Sequence, residues 1–236
     1  MTDGAFRLTR DALAAGLLQR MIAEHAPDMQ ILTDEERDRS LAETLAARPE
    51  DASTDGGVWL FAYGSLIWNP AVIFHEQRRA TVEGWHRAFC LSTTHGRGTP
   101  DNPGLLLGLD RGGRCEGVAL RIARECAAEE LALLWRREML AGAYIPRWIQ
   151  LLDETDTQFA HGIAFTIDTD NAAYAGSSVS NDERVRRLAT AEGMLGSSAD
   201  YLFNTRESLR ALGIKDPNLD TIADQVERLR QDEKLR

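Results

Sequence analysis

Val58-Trp59-Leu60-Phe61-Ala62-Tyr63-Gly64-Ser65-Leu66-Ile67-Trp68-Asn69-Pro70 is the stretch on which the reading of the fold turns. An unbroken apolar run, Val58 to Tyr63, stops abruptly at Gly64-Ser65. Such a run, closed by a turn signal, predicts a buried strand that opens into a tight loop. Gly64 lets the backbone bend and approach a ligand closely. Ser65 adds a hydroxyl beside main-chain amides released at the strand end, and amides left there form a concavity suited to a small carboxylate. Leu60, Phe61 and Ala62 support that loop and border the same groove. Read alone, the segment is equally a core strand followed by an ordinary turn.

Toward the N-terminus the pattern changes to helical. Leu13, Leu17, Leu18, Met21 and Ile22 share one face over 9–24. Thr33 and Glu36 form a capping box that opens a helix over 34–47, with Leu41, Leu45 and Ala46 as its buried side. Residues 48–57 are a polar, turn-rich linker. We therefore expect a helical extension over 1–57 and a catalytic domain over 58–236.

Toward the C-terminus, strand patterns cover 58–63, 79–93, 104–110, 115–122, 144–152 and 158–168, with Asp110-Arg111-Gly112-Gly113 joining two of them as a hairpin. A helix is expected over 125–141, with Cys126, Leu131, Leu134 and Trp135 inward. Further helices follow over 181–195 (capped by Ser180 and Glu183), up to Leu212, and over 218–231. Strands joined by short turns, followed by helices, predict an α+β fold with a mixed or antiparallel sheet rather than a doubly wound one.

Composition narrows the function. The net charge of −10 argues against a nucleic-acid partner and against an anionic membrane surface. No run has the apolar length of a membrane span, and Met1-Thr2-Asp3-Gly4 does not read as a signal peptide. An odd count of 3 cysteines predicts reduced thiols and a cytoplasmic location. The histidines are scattered without zinc spacing, so no metal is expected.

A carboxylate base must face a pocket and reach the proton it takes. Leu134, Trp135 and Glu138 are three or four residues apart and share a helix face, where burial would raise the Glu138 pKa. Spacing leaves two readings open. Glu138 is either an inward base, or a helix-end carboxylate that is solvated or paired with Arg137.

Taken in chain order, Tyr63-Gly64-Ser65-Leu66, His95-Gly96-Arg97-Gly98-Thr99-Pro100 and Arg137-Glu138 resemble the ChaC-type γ-glutamylcyclotransferases, and the likeness spans roughly 58–213. The resemblance implies a small closed or nearly closed β-barrel with helices packed around it. It implies cleavage of glutathione to 5-oxoproline and cysteinylglycine, without a cofactor and with that small molecule as the partner. It makes Glu138 the catalytic residue and the Tyr63–Leu66 loop the cradle. Arg97 becomes a contact for the distant substrate carboxylate, with Tyr144 and Tyr174 as further substrate contacts. Ala172, Met139-Leu140 and Cys115-Glu116 depart from the family pattern and bear on the pocket beyond the γ-glutamyl group. Two alternatives stand beside glutathione cleavage: the same chemistry on another γ-glutamyl amine or dipeptide, and a γ-glutamyl-binding module without activity.

Overall fold

In the computed structural model, residues 8–50, 52 and 55–234 are described. The start of the chain and part of the 48–57 linker (51, 53 and 54) lie outside that set. The chain divides into two compact units: Leu8–Arg87 with Leu109–Asp168, and Ala88–Gly108 with the chain from Thr169 onward.

The first unit holds α1 (Arg10–Ala14), α2 (Leu17–His25), α3 (Asp34–Ala46), β1 (Val58–Ala62), α4 (Arg124–Glu138), β4 (Tyr144–Leu152) and β5 (Gln158–Ile167), with most of β2 (Glu76–Thr93) and β3 (Gly104–Ile122). The five strands close into a barrel in the order β1-β3-β2-β4-β5. It is mixed: β1 runs antiparallel to β3 and parallel to β5, and β4 runs antiparallel to β5. All five residues of β1 are buried, as an unbroken apolar run requires of a strand covered on both faces. Burying a large apolar side chain such as Leu60 or Phe61 is worth roughly 1.5–3 kcal/mol.

The first unit departs from the sequence reading at three points. The hairpin expected at Asp110–Gly113 is a bend within one continuous strand, β3. Gly112 and Gly113 take φ of 94° and 73°, which changes direction without reversal. The Gly112 carbonyl stays 3.0 Å from His86 Nδ1, so this part of β3 keeps running beside β2. The helix expected over 9–24 breaks at Gly16, and Leu17 begins α2 half out in solvent. The inner side of α3 consists of Arg37 and Thr44, while Leu41 and Leu45 are half-buried and Ala46 is exposed. The cause is indole chemistry. Trp135 Nε1 donates to Ser40 Oγ (3.2 Å) and Trp148 Nε1 donates to the Thr44 carbonyl (2.7 Å), so the polar side of α3 meets two indole donors.

Gly117 of β3 marks the tightest approach to β1. A Cβ there would lie 2.4 Å from the Ala62 carbonyl oxygen and 2.8 Å from the Phe61 ring. We expect Gly117→Ala to lower stability by about 2 kcal/mol through overpacking, measured as a shift of the urea midpoint at constant slope. An unchanged midpoint would show that the β1–β3 pair has slack.

The second unit carries α5 (Asn181–Thr190), a small hairpin of β6 (Glu192–Gly193) and β7 (Gly196–Ser197), α6 (Ser198–Ala211) and α7 (Pro217–Lys234). Ser180 caps α5 by accepting from the Glu183 amide at 3.2 Å. The helix stops at Thr190, short of the expected 195, because the β6–β7 hairpin takes up the residues that follow. Arg187 is buried, and desolvation lowers its pKa. Its guanidinium is satisfied by the Pro103 and Gly104 carbonyls (2.7 and 2.8 Å) and by Ser92 Oγ (2.5 Å).

Candidate active site

β1 ends at Ala62, opposite Val118, and the chain turns at once. The Gly64 carbonyl accepts from the Ile67 amide (3.0 Å) and the Ser65 carbonyl from the Asn69 amide (2.8 Å), a single turn of helix. First-turn amides have no acceptor within their own turn. Among the described residues, none accepts from the amides of Gly64, Ser65 or Leu66. Gly64 and Leu66 are buried and Ser65 is half-buried. Three consecutive donors therefore stand at the end of the strand.

The orientation of the first donor is fixed from behind. Arg87 Nε donates to the Tyr63 carbonyl (2.5 Å) and Arg87 Nη2 to the Glu116 carbonyl (2.6 Å). The Tyr63–Gly64 peptide is trans. In a planar trans peptide C=O and N–H point in opposite directions, so the Gly64 N–H is directed away from the guanidinium. The Tyr63 hydroxyl donates to the Phe165 carbonyl at 2.7 Å, tying the same residue to β5.

The second component arrives on α4. Its inward face carries Leu131, Leu134 and Trp135, and Trp135 meets Phe165 edge-on at 5.1 Å between centroids. Glu138 is the last residue of the helix. Its Oε1 lies 2.9 Å from Arg137 Nε, with the two side chains only 13% and 7% exposed. The two readings left open by spacing thus coincide: Glu138 is inward and it is paired with Arg137. Burial pushes its pKa up, and the Arg137 charge and hydrogen bond pull it back only in part. The negative end of the α4 dipole acts in the same direction as burial.

Arg137 joins the two components. Its Nη2 donates to Ser65 Oγ (2.9 Å) and its Nη1 to the Asn69 carbonyl (2.5 Å), while Nε holds Glu138. One guanidinium therefore spans from the strand-end turn to the buried carboxylate. Such an arrangement can hold an anionic group on main-chain N–H donors beside a proton acceptor of raised pKa.

The remaining candidates are placed as follows. Leu60, Phe61 and Ala62 are wholly buried in β1. Tyr144 opens β4, opposite Ile167 of β5. Arg97 and Tyr174 belong to the second unit. There Arg97 Nη1 donates to the Ser197 carbonyl (3.0 Å), and its guanidinium lies 5.3 Å from the Tyr201 ring centroid. Tyr174 bridges to Leu91. His95 orders its own loop through Thr94 Oγ1 at 2.9 Å.

Three residues escaped the sequence reading. Arg87 was hidden within a strand pattern, although an arginine amid Trp85, Phe89 and Cys90 is itself a signal of a buried role. Asn69 was hidden in a turn. Glu130 precedes Leu134 by one helical turn and is fully buried, a position the 3.6-residue period could have flagged.

A depression lined by Arg79, Thr81, Arg114, Glu116, Asp153 and Glu154 is crossed by ion pairs such as Arg79–Glu116 (3.3 Å) and includes neither Ser65 nor Glu138. Among the described residues there is no cluster of three or more His, Cys, Asp or Glu side chains able to hold a metal, and no helix is long and apolar enough to cross a membrane.

Comparison with known proteins follows this geometry. A family model described as ChaC-like protein matches residues 58–229. A glutathione-specific gamma-glutamylcyclotransferase of Escherichia coli is 44% identical over 199 residues, covering 83% of this chain and 82% of that protein. Gamma-glutamylcyclotransferase 2-3 of Arabidopsis thaliana is 32% identical over 180 residues, 72% of this chain and 88% of that one. Among solved structures, a gamma-glutamyl cyclotransferase specific to glutathione from yeast superimposes with a TM-score of 0.67 at 21% identity, over 74% of this chain and 97% of the other. That likeness is one of fold, and it matches the barrel with packed helices described above.

Proposed function

The chain belongs to the ChaC-like protein family, and from that premise we propose that it is a γ-glutamylcyclotransferase acting on glutathione. The α-amine of the γ-glutamyl group attacks its own γ-carbonyl carbon. A five-membered lactam forms, the γ-amide C–N bond breaks, and cysteinylglycine leaves as the amine, giving 5-oxoproline. At neutral pH the α-amine is an ammonium and cannot attack. Glu138 takes the proton as carboxylate and returns it to the departing nitrogen.

The observation that carries this reading is the Arg137 bridge between the Ser65 hydroxyl of the strand-end turn and Glu138. The amides of Gly64, Ser65 and Leu66 hold the α-carboxylate of the substrate, which fixes its curl. Orienting an intramolecular nucleophile can remove roughly 7–11 kcal/mol of barrier. A positioned acid–base group supplies 10²–10⁴-fold, roughly 3–5 kcal/mol. The cradle therefore does more than the base, and a protein needs both ends of the Arg137 bridge to do either well.

In this reading Tyr144 also contacts the substrate. Residues 1–57 form the helical extension and 58–236 the catalytic domain. The odd count of 3 cysteines supports a reducing, cytoplasmic setting.

Incubating the purified protein with glutathione tests the proposal. The expected result is 5-oxoproline and cysteinylglycine in equal amounts. Turnover of γ-glutamylalanine or a γ-glutamyl amine in place of glutathione would reassign the substrate. Binding of these compounds without lactam release would reduce the protein to a γ-glutamyl-binding module.

A further inference from the structure

The proposed site leaves one feature unused: the segment before the barrel is bonded into the same loop and helix that carry it. Arg10, the first residue of α1, donates to Glu130 of α4 from Nε (3.0 Å to Oε1, 3.2 Å to Oε2) and from Nη2 (2.6 Å to Oε1). Glu130 has no exposed surface, and its Oε2 also accepts from the Ile73 amide at 2.9 Å. Two residues before Arg10, the Leu8 carbonyl accepts from Asn69 Nδ2 at 2.9 Å. The Asn69 carbonyl in turn is the one held by Arg137. Between Asn69 and Ile73 sits Ala71 with φ of 51°, a left-handed conformation that a residue with a Cβ keeps only where its surroundings impose it.

We propose that Arg10 and Asn69 are positioning residues, through which the segment N-terminal to the barrel holds the 64–73 loop against α4 and so sets the Arg137 guanidinium between Ser65 and Glu138. The inference rests on the reading of Glu138 as base and extends it to residues that touch no substrate.

A buried carboxylate is tolerated when its partners satisfy it, and Arg10 supplies the charge while Ile73 supplies an amide. Pairing with Arg10 therefore fixes Glu130, and Glu130 fixes one end of the loop. At the other end Asn69 is held twice, by its side chain to Leu8 and by its carbonyl to Arg137. A loop pinned at both ends can keep an unfavourable residue between them. Released at either end, it relaxes at Ala71 and carries the Asn69 carbonyl and Ser65 away from Arg137.

Asn69→Ala is the deciding variant, because it removes the bond to Leu8 and leaves the main chain and every charge intact. Two measurements are needed, one of which does not depend on catalysis. Hydrogen exchange at the Ile67 and Asn69 amides, both hydrogen-bonded in the turn, should quicken about tenfold with little change in global unfolding. With glutathione, kcat should fall about tenfold while KM stays within about twofold, as expected when a base is displaced by a fraction of an ångström. Arg10→Met should speed exchange at Ile73 in the same way. Arg10→Met combined with Glu130→Gln, which leaves no buried unpaired charge, should regain stability without regaining kcat. Unchanged exchange in Asn69→Ala overturns the proposal whether or not the protein turns over glutathione. Exchange that quickens while kcat holds also overturns it. Failure of the native protein to release 5-oxoproline would instead strike the proposed function, and the exchange result would still decide whether the segment holds the loop.

Discussion

Glu138→Gln is expected to keep the fold and to lower kcat for lactam release by about 10²–10⁴-fold, the worth of a positioned acid–base group. Glutamine preserves shape and one acceptor for Arg137 but cannot take a proton. Affinity for glutathione should change little, because the main-chain amides at Gly64–Leu66 remain. The same substitution has a signature in stability. Burial raises the Glu138 pKa above its unfolded value, so the folded state favours the neutral acid. Its stabilising contribution is complete below the ordinary glutamate range and is lost as pH rises through the raised value. The native protein should therefore lose stability relative to Glu138→Gln as pH climbs from about 4 toward neutrality. Thermal unfolding of both proteins across that window checks the sign. Near-native turnover in the variant would remove Glu138 from the mechanism.

Arg137→Met should be nearly as damaging, for a different reason. It removes the charge that pulls the Glu138 pKa down, leaving burial unopposed. Among the described residues, the charged group in contact with the Glu138 carboxylate is Arg137. Without it the carboxyl is harder to ionise, so less of it is available as base at a given pH. We expect kcat to fall about 10²-fold at pH 7, with partial recovery at higher pH as the acid limb of the rate profile moves upward. Glu138→Gln should show no such recovery. Stability should fall by about 3 kcal/mol at alkaline pH, where the stranded carboxylate ionises, and by less at pH 5. A rate profile in Arg137→Met parallel to that of the native protein would show that the guanidinium does not govern the base.

Much of this architecture was legible in the chain because its signals are local. The run from Val58 to Tyr63 defines a buried strand, and all of β1 is buried. Thr33 and Glu36 announce α3 through a box that forms as written. Tyr144–Leu152 is a strand whose ends were readable to the residue. What failed did so for tertiary reasons. Gly112-Gly113 reads as a reversal in isolation, yet β2 runs alongside and turns it into a bend. The apolar face of α3 gave way to Ser40 and Thr44 because two tryptophan N–H groups, distant in sequence, needed acceptors. In the proposed site, spacing put Glu138 on an inward helix face but left its pairing open, and Tyr63–Leu66 read equally as an ordinary turn until set beside the family resemblance. The contacts that unite them could not be read. Arg87 on Tyr63 and Arg137 on Ser65 are long-range pairs between a side chain and a turn, and no period or motif encodes them.

The double partnership of β1 also bears on how the chain reaches its native state. Trp59 pairs with Arg121 on one side and Gly162 on the other, roughly sixty and one hundred residues further along. During synthesis this apolar, aggregation-prone segment emerges long before either of its neighbours exists. Until β5 is made, Val58–Ala62 is an open sticky edge, and holdase chaperones or slow, concentration-limited refolding should matter most in that interval. Once β5 docks, the ribbon has no free side left to offer another molecule.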